Sequence, residues 1–419
     1  MRFTSSADRL FQNLSAFGHT LETSEFLATM LKACLIVTLA IASLRFAYVD
    51  LISEQPFITD FNAFYLAGKL ALERKLAIAY HFKLMNQAQL DFYGIEGFLP
   101  WSYPPPFDLI VALLALLPIG VASLLFSGFT LLGYFHVLDQ IAPVTRRLIR
   151  FIVLPTLLLN ITVGQNGLLT GTLMAIFCLL TLKKSPWAGV PLGLMVIKPH
   201  LALGFGLISI FRGYWRTVIA AFAVAGAFAF IATGILGPQV WKDFGDGISE
   251  SASFLKFGLY PLFRMTSAFA GSYTLTNSLF FSQAIQTLST TLALVSLLLL
   301  TKIKLSDREL LGMVALISPF FSPYFYDYDL PVTGLGIALL FPTVSLYLKT
   351  SERIIAIWSV ILAQSGWGFC LFTTALGSAA TPGSEGKPPS LGAFFLLFTL
   401  LFFGKAVLAA HSARSRIEE

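Results

Sequence analysis

The sequence predicts an all-α polytopic membrane protein, and three observations support this fold class. Hydrophobic residues make up 56% of the 419 positions and charged residues only 12%, and the mean hydropathy is +0.77. A water-soluble fold of this size needs far fewer apolar residues for its core. The apolar runs also lack the alternation of apolar and polar residues that barrel strands show, so helices in an inner-type membrane are expected.

Basic residues cluster at the ends of the apolar runs, where they indicate orientation rather than nucleic-acid binding. The chain has 28 Lys and Arg against 22 Asp and Glu, and basic residues are enriched in cytoplasmic loops. The groups predicted to face the cytoplasm are Arg146, Arg147 and Arg150, Lys183 and Lys184, Arg212 and Arg216, Lys302 and Lys304, Lys349 and Arg353, and Arg414 and Arg416.

The first apolar run predicts a span at about 26 to 49 with the N-terminus inside, because Arg2 and Arg9 precede it and Asp50 follows it. No small-residue cleavage site ends the run, so it is expected to be retained as a span rather than removed as a signal peptide. The predicted organisation is a cytoplasmic segment at 1–25, a transmembrane domain at 26–411 and a cytoplasmic tail at 412–419.

Two long segments, residues 50–103 and 237–275, are predicted to lie outside the cytoplasm. In the first, apolar residues recur at helical spacing from Asn62 to Ala79, and the prolines of 100–106 end the pattern. A connection of this length is usually functional or lid-like. The places where the chain turns back between basic groups are predicted to share this outer face: Gly164–Asn166, Lys198–His200, 237–275, Ser322–Asp329 and 376–390.

The apolar stretches on either side of Lys198 are too short to cross a bilayer. Each has about 11 apolar residues, roughly 17 Å at 1.5 Å per residue, against a hydrocarbon core of about 30 Å. Polar backbone at that depth is tolerated only where protein or a water-filled cavity satisfies it. Lys198 is therefore predicted to line a pocket, and the same argument applies more weakly to Gln165.

Residues 104–139 complicate the count of spans. Pro118-Ile119-Gly120 can divide this run into two crossings, which would place Arg146 outside. One net crossing with a re-entrant or interfacial piece is preferred. With that choice the prediction is about 12 transmembrane helices and both chain ends in the cytoplasm.

Asp60 is a candidate general base. It lies about ten residues beyond the first predicted span and just before an aromatic amphipathic helix, so it can sit at the membrane surface. A carboxylate there can take a proton from an acceptor hydroxyl, and burial under aromatic side chains would raise its basicity. The competing interpretation is a helix N-cap, a position that Asp and the preceding Thr59 both favour.

Two cations in outward-facing positions are candidates for binding an anion. Lys198 lies in an apolar hairpin with His200, and charges inside a membrane are expensive enough to indicate function; snorkelling of the lysine to the outer interface is the alternative. Arg264 lies in a segment predicted outside, where it could bind a lipid headgroup or phosphate. Loops of this length, however, also escape the orientation rule.

The remaining polar candidates each have a structural alternative. Tyr103 begins the second apolar run after Trp101, so it could be an interfacial anchor before a proline-initiated helix. Asp327 and Asp329 could be a carboxylate pair or part of a solvated turn. Five histidines show no zinc-binding spacing. The cysteines are interpreted as packing residues: Cys34, Cys178 and Cys370.

Six motifs follow one another along the chain in a specific order and spacing. They are Asp60 with Phe64-Tyr65-Leu66-Ala67-Gly68 behind it, Tyr103-Pro104-Pro105, Gly164-Gln165-Asn166, the hairpin from Ala188-Gly189-Val190-Pro191-Leu192-Gly193-Leu194 to Lys198-Pro199, Arg264-Met265-Thr266-Ser267, and Ser322-Pro323-Tyr324. Over roughly residues 55 to 340 this order resembles glycosyltransferase family 87, which implies a GT-C membrane fold.

The resemblance implies a transferase of the bacterial inner membrane. Such an enzyme takes a sugar, typically mannose, from a polyprenyl-phosphate carrier and attaches it to a glycolipid or glycan on the extracytoplasmic face. The family's base is an aspartate in the first external loop, which corresponds to Asp60. Members that act on actinobacterial phospholipids tend to have a histidine pair where this chain has Tyr328-Asp329, so their acceptor is not carried over.

Inverting transfer is the expected chemistry. Asp60 would deprotonate the acceptor hydroxyl, which attacks the anomeric carbon as the lipid phosphate leaves from the opposite face. A departing phosphate needs fixed positive charge or donors, and the best candidates are Lys198, His200, Arg264 and Tyr324. The side chains expected to line the substrate pocket are Tyr103, Gln165, Asn166, Asp327 and Asp329. No metal is expected, because a lipid monophosphate carries less charge than a nucleotide diphosphate, although Asp327-Tyr328-Asp329 is formally a DxD motif.

The rival function class is a secondary transporter or lipid flippase, since broken hairpins at mid-depth occur there too. Transporters usually contain two related halves, and this sequence has no convincing internal repeat. The long first external segment also favours an enzyme. A non-catalytic subunit of polymer assembly is a third interpretation.

Overall fold

The structure, a computed structural model, describes residues 24–48, 58–95, 99–366 and 388–418. Regular structure in these residues is helical, apart from one isolated antiparallel bridge between Met265 and Tyr326. The predicted all-α class is confirmed for the described part of the chain. The predicted N-terminal segment is described only from residue 24 and the predicted turn at 376–390 only from residue 388; the rest of both lies outside the described residues, as does Cys370.

The helices are numbered in chain order. Those before residue 183 are α1 (Glu25–Ala47), α2 (Asp60–Leu72), α3 (Ala77–Tyr80), α4 (Phe82–Tyr93), α5 (Pro105–Leu114), α6 (Ile119–Ile141), α7 (Arg146–Ile152), α8 (Leu154–Val163) and α9 (Gly167–Leu182). Those that follow are α10 (Gly189–Leu194), α11 (Pro199–Phe211), α12 (Trp215–Leu236), α13 (Val240–Lys256), α14 (Ala268–Thr276), α15 (Leu279–Lys302), α16 (Asp307–Ile317), α17 (Pro331–Tyr347), α18 (Thr350–Ala363) and α19 (Gly392–Glu418).

Five helices in the described residues are long and apolar enough to cross a membrane, judged by length and composition: α1, α6, α12, α15 and α19. The first agrees with the span predicted at about 26 to 49. Shorter apolar helices of 10 to 17 residues accompany them. These features indicate a multi-pass membrane protein, and the predicted number of 12 crossings stays a prediction.

Residues 104–139 form two helices that meet at a proline, as the sequence suggested. Pro118 is the N-cap of α6, and Ala115 ends α5. The ten residues of α5 span about 15 Å, half of a hydrocarbon core of about 30 Å. The 23 residues of α6 are long enough to cross. These lengths fit one crossing preceded by a short piece.

The two segments predicted as external loops contain more helix than the sequence indicated. The single helical pattern from Asn62 to Ala79 is wrong, because α2 ends at Leu72 and Arg74 adopts a left-handed φ of 59° before α3 begins. The segment at 237–275 holds α13 and α14. α13 is amphipathic, and its Trp241 and Phe244 pack on the hydrophobic cluster around Tyr80. The distribution of charged residues in the sequence did not predict this packing.

Lys198 interrupts a hairpin of short helices, as predicted. The six residues of α10 are followed by the 3₁₀ turn Met195–Ile197, and Lys198 then leaves helical geometry with φ −154° and ψ 67°. α11 has 13 residues, about 20 Å, so it is also too short to cross alone. On the other side, α10 packs closely on α12, since a Cβ at Gly193 would lie 2.4 Å from the carbonyl oxygen of Ala221.

The polar groups collect at two ends of the helical body. At one end, groups near the predicted cytoplasmic markers contact each other: Arg147 pairs with Glu25, Arg414 Nη2 lies 2.8 Å from Glu309 Oε2, and Arg308 Nη2 donates to the Ile141 carbonyl at 2.7 Å. At the other end the predicted turning points contact each other, through Asn166 with Lys198, Lys198 with Asp329 and Arg264 with Asp327. Residues 376–387 of the fifth turning point lie outside the described chain, and its Ser390 hydroxyl donates to the Met265 carbonyl. The prediction that these turns share one face is confirmed for the described residues.

Cysteine labelling tests the predicted orientation. The Glu73 side chain at the end of α2 is 55% exposed, and Val144, beside the predicted cytoplasmic marker Arg146, is 83% exposed. In a background with Cys34, Cys178 and Cys370 replaced by Ala, we expect Glu73→Cys to react with an impermeant thiol reagent in intact cells.

The matched Val144→Cys variant should react only after permeabilisation. The opposite pattern, with Val144→Cys labelled in intact cells and Glu73→Cys protected, would reverse the topology and remove the extracytoplasmic site.

Candidate active site

A buried three-residue turn, Asp327–Asp329, forms the centre of the site. Its two acid side chains are 1% and 0% exposed, so the interpretation of a solvated turn is wrong. Asp327 Oδ1 accepts the Tyr328 N–H at 2.9 Å, and Asp329 Oδ2 accepts the Tyr326 N–H at 3.2 Å. The remaining contacts of the two carboxylates are to different cations, and both cations lie within 5.3 Å of the centre of the Tyr328 ring.

Two polar side chains of α8 donate hydrogen bonds to backbone carbonyls of this turn. Asn160 Nδ2 donates to the Tyr328 carbonyl at 2.9 Å, and Thr156 Oγ1 donates to the Asp327 carbonyl at 2.7 Å. Sequence reasoning missed both residues. The available signal was Asn160 itself, because a fully buried amide within an apolar helix is costly unless it has hydrogen-bond partners.

Lys198 is bound inside the protein by Asp329, the second acid of the turn. Its ammonium lies 2.6 Å from Asp329 Oδ1 and 3.3 Å from Asn166 Oδ1, and it is 4.7 Å from the centre of the Tyr328 ring. The residue is only 6% exposed. Snorkelling to the interface is therefore wrong, and the break between α10 and α11 serves to place a paired cation in the interior.

Arg264 pairs with Asp327, the first acid of the turn, and also contacts the candidate base Asp60. Its Nη2 and Nε lie 3.3 and 3.4 Å from the two Asp327 oxygens, and its Nη1 lies 3.9 Å from Asp60 Oδ2. The guanidinium carbon is 5.3 Å from the Tyr328 ring centre. Burial raises the pKa of Asp327 to about 6, although the charge of Arg264 opposes that shift. Both predicted cations thus lie close to the Tyr328 ring.

Backbone contacts fix where Arg264 lies. It ends the 3₁₀ turn Leu262–Arg264, and the next residues run antiparallel to the segment before the acid turn. Met265 bridges to Tyr326, and Thr266 N–H donates to the Phe325 carbonyl at 2.8 Å. The Arg264-Met265-Thr266-Ser267 motif is therefore a short strand-like clamp, which positions the guanidinium over Asp327.

Asp60 is the first residue of α2 and is not its N-cap. Thr59 is the cap: its N–H donates to Asn62 Oδ1 at 3.0 Å, and its hydroxyl accepts from Arg45 at 2.9 Å. The interpretation of Asp60 as a cap is wrong. Its side chain is 20% exposed, so its carboxylate stays accessible while contacting Arg264.

Two glycines, Gly164 and Gly167, let the Gly164-Gln165-Asn166 turn pack against both Phe61 at the start of α2 and the acid turn. Gly164 has φ +68°, and a Cβ there would lie 2.4 Å from the Phe61 Cβ; a Cβ at Gly167 would lie 1.7 Å from the Tyr328 carbonyl oxygen. Either addition would force the backbone apart. The motif therefore brings the start of α2 and the Asp327–Asp329 turn to one place.

Tyr103, Gln165 and Asn166 form one wall of the site. The Tyr103 hydroxyl donates to Gln165 Oε1 at 3.2 Å, and that oxygen also accepts the Asn166 N–H at 2.9 Å. The Tyr103 ring centre is 6.0 Å from the Lys198 ammonium and 5.3 Å from the Phe64 ring. The Asn166 Nδ2 group is buried with no hydrogen-bond partner.

Two predicted phosphate ligands have no hydrogen bond or ion pair with this cluster in the described residues. His200 lies in the first turn of α11, and its Nε2 is buried without a hydrogen-bond partner. The Tyr324 ring packs edge-on against Tyr260 at 6.3 Å. Their proposed phosphate contacts stay predictions. The described residues contain no group of three or more His, Cys, Asp or Glu side chains placed to hold a metal ion.

A double-mutant cycle tests the buried Lys198–Asp329 pair. Lys198→Gln and Asp329→Asn each leave one unpaired buried charge, so each should lower the free energy of unfolding by about 3 to 5 kcal/mol. The double variant leaves no unpaired charge and should lose much less than the sum of the two, as measured by reversible unfolding in micelles or bilayers. Additivity within about 0.5 kcal/mol would show that the two groups are not coupled.

The comparison with known proteins agrees with the motifs around this site. Residues 101–323 match the model of glycosyltransferase family 87, which is more than half of the 419 residues. No curated protein and no solved structure matches the chain. The matched segment contains Tyr103, Asn166, Lys198 and Arg264. This chain therefore belongs to glycosyltransferase family 87.

Proposed function

We propose that this membrane glycosyltransferase has the GT-C fold and transfers a sugar from a polyprenyl-phosphate carrier. The proposed sugar is mannose. The acceptor is a glycolipid or glycan on the extracytoplasmic face of a bacterial inner membrane. Family membership and the several apolar helices support the coarse activity. The donor class is supported by two buried cations that lie close to one tyrosine ring.

The observation that supports Asp60 as the base is its exposure. Three carboxylates surround the two cations, and their side chains are 20% exposed for Asp60 but 1% for Asp327 and 0% for Asp329. A base has to come within hydrogen-bond reach of the acceptor hydroxyl. Asp60 is accessible for this, whereas the other two acids are occupied by their cations.

Arg264 is proposed as the main ligand of the donor phosphate. Its hydrogen bonds to Asp327 are long, at 3.3 and 3.4 Å, and its planar guanidinium carries five N–H donors suited to phosphate. Lys198, by contrast, is tightly bound to Asp329 at 2.6 Å. We assign Lys198 a supporting positive charge beside Tyr328, and we keep His200 and Tyr324 as outer candidates for the same phosphate.

The proposed reaction is a single displacement. Asp60 takes the proton of the acceptor hydroxyl, and the oxygen forms a bond to the anomeric carbon of the sugar. The bond from that carbon to the phosphate oxygen breaks, and the electron pair leaves with the polyprenyl phosphate. Arg264 stabilises the charge that develops on this leaving group. Attack from the face opposite the phosphate inverts the anomeric configuration, and the fixed cations supply the charge that a metal would otherwise provide.

The wall of Tyr103, Gln165 and Asn166 is proposed to face the transferred sugar. Asn166 Nδ2 is a buried donor with no partner, and such a group is costly unless a ligand or water completes it. A sugar hydroxyl is a suitable acceptor. Asp327 and Asp329, which the sequence suggested as substrate-lining groups, are assigned here to holding the two cations.

Replacing Asp60 tests its role as base. Asp60→Asn keeps the size of the side chain and one acceptor oxygen but removes its basicity, so turnover should fall by roughly 10²- to 10⁴-fold. Donor binding should be retained, because Arg264 still pairs with Asp327. The measurement is sugar transfer in proteoliposomes, together with binding of polyprenyl phosphate.

The control is Asp91→Asn, which removes an exposed carboxylate that accepts from Gln87 in α4. Transfer by this control should match the unmodified protein. Turnover of Asp60→Asn within a few-fold of normal would remove Asp60 from the mechanism.

Changing the shape of the Arg264 cation tests phosphate binding. Arg264→Lys keeps a positive charge beside Asp327 but loses the fork that can hold phosphate oxygens in pairs. Loss of one charge-assisted hydrogen bond, worth about 1.5 to 3 kcal/mol, should raise the KM for the donor roughly ten- to a hundredfold. The KM for the acceptor should change much less.

Lys256→Gln provides the matched control, because it removes an exposed cation from the end of α13, in the same predicted external segment. A donor KM that stays unchanged in Arg264→Lys would mean that Arg264 acts only through its positive charge, as in bulk attraction of anionic lipid.

A further inference from the structure

Behind the Tyr103 wall lies a carboxyl group that the proposed reaction does not use. Asp108 is on α5, four residues after Pro104, and is 0% exposed. Its Oδ1 accepts the Trp101 indole N–H at 2.9 Å. Its Oδ2 lies 2.6 Å from the Tyr80 hydroxyl oxygen, and that oxygen is in turn 2.8 Å from the carbonyl oxygen of Tyr103.

The short distances among the Asp108 Oδ2, Tyr80 hydroxyl and Tyr103 carbonyl oxygens decide how many protons this group must hold. The Tyr80 hydroxyl has one proton, and it has a possible acceptor on each side: Asp108 Oδ2 and the Tyr103 carbonyl. If Asp108 is ionised, Tyr80 can donate to only one of them, and the other close oxygen pair has no proton between its atoms. If Asp108 is protonated, its O–H donates to Tyr80, and the Tyr80 O–H donates to Tyr103. Both short oxygen–oxygen distances, 2.6 Å to Asp108 and 2.8 Å to Tyr103, are then hydrogen bonds.

The surroundings of Asp108 also oppose a charge. Among the described residues it forms no ion pair, and its side-chain partners are the neutral groups of Tyr80 and Trp101. A second acid, Asp243 of α13, also acts on Tyr80 through its charge. A buried carboxylate without a cation is among the most expensive groups in a protein interior, and neutralisation by a proton removes that cost.

We propose that Asp108 is held protonated and acts as a positioning residue for the active site. Through Tyr80 its proton fixes the Tyr103 backbone, and through Trp101 its carbonyl oxygen fixes the start of the same segment. That segment sets the Tyr103 ring 6.0 Å from Lys198 and its hydroxyl on Gln165. The expected effect of Asp108 on substrate binding rests on the proposed function, because it assumes that Tyr103 faces the sugar. The protonation of Asp108 does not depend on that function.

Infrared difference spectroscopy tests the protonation directly. The spectrum of the unmodified protein minus that of Asp108→Asn, both in bilayers at neutral pH, should contain the carbonyl stretch of a protonated carboxyl group. Carboxylate bands in its place would overturn the proposal. This result is independent of Asp60, so it holds or fails whatever transfer assays show about the proposed reaction.

Activity tests the positioning role. Asp108→Asn keeps an acceptor for Trp101 and a donor for Tyr80, so it should transfer sugar nearly as well as the unmodified protein. Asp108→Leu and Tyr80→Phe break the chain of hydrogen bonds, and each should raise the donor KM roughly three- to tenfold with a smaller change in kcat. A loss of activity in Asp108→Asn as large as in Asp108→Leu would contradict the proposal that Asp108 acts as an uncharged, protonated group.

Tyr65→Phe separates positioning from general loss of stability. The Tyr65 hydroxyl also donates to a backbone carbonyl, that of Leu117, at 2.9 Å, but its ring does not belong to the Tyr103 wall. Tyr65→Phe should lower the unfolding temperature about as much as Tyr80→Phe does while leaving the donor KM unchanged. Equal shifts of the donor KM in both variants would contradict the positioning role of Asp108.

Discussion

The arrangement of the site depends on pairing two buried cations with two acids of one short turn. Lys198 lies 2.6 Å from Asp329, and Arg264 lies 3.3 Å from Asp327. Each partner comes from a different part of the chain, 131 and 63 residues away. Because an unpaired charge in such surroundings would cost several kcal/mol, the pairs strongly disfavour any arrangement in which the hairpin, the Arg264 clamp and the acid turn are separated.

This pairing divides the charges into two kinds. Asp327 and Asp329 are buried and neutralise the cations, whereas Asp60 contacts Arg264 at 3.9 Å from a side chain that remains partly exposed. The cluster in the described residues thus offers one accessible acid beside a cation whose hydrogen bonds to Asp327 are 3.3 and 3.4 Å long. In a low-dielectric site such fixed charges interact strongly with a phosphate and with a nucleophile, which is why we propose lipid-phosphate chemistry there.

The sequence predicted which residues belong to the site better than it predicted which residues they contact. Lys198 stood out because a cation in a hairpin too short to cross is costly, and the family resemblance drew attention to Asp60. The ion pairs of Asp327 with Arg264 and of Asp329 with Lys198 were not predicted, because the partners lie far apart in sequence and the spacing of the two acids also suits an exposed turn. Asp108 was missed because its burial depends on Tyr80 and Trp101 closing over it. The helix α13 was missed because its apolar face has a partner only in the folded chain.

A structure of the protein in a bilayer with bound polyprenyl phosphate would test the central proposal most directly. The account predicts the phosphate at the Arg264 end, with an oxygen about 3 Å from a guanidinium nitrogen, on the same side as the Asp60 carboxylate and near Tyr328. A phosphate bound instead at the opposite polar end, beside Arg146 and Arg147, would contradict it, because neither Asp60 nor the cations paired with Asp327 and Asp329 could then take part in the transfer.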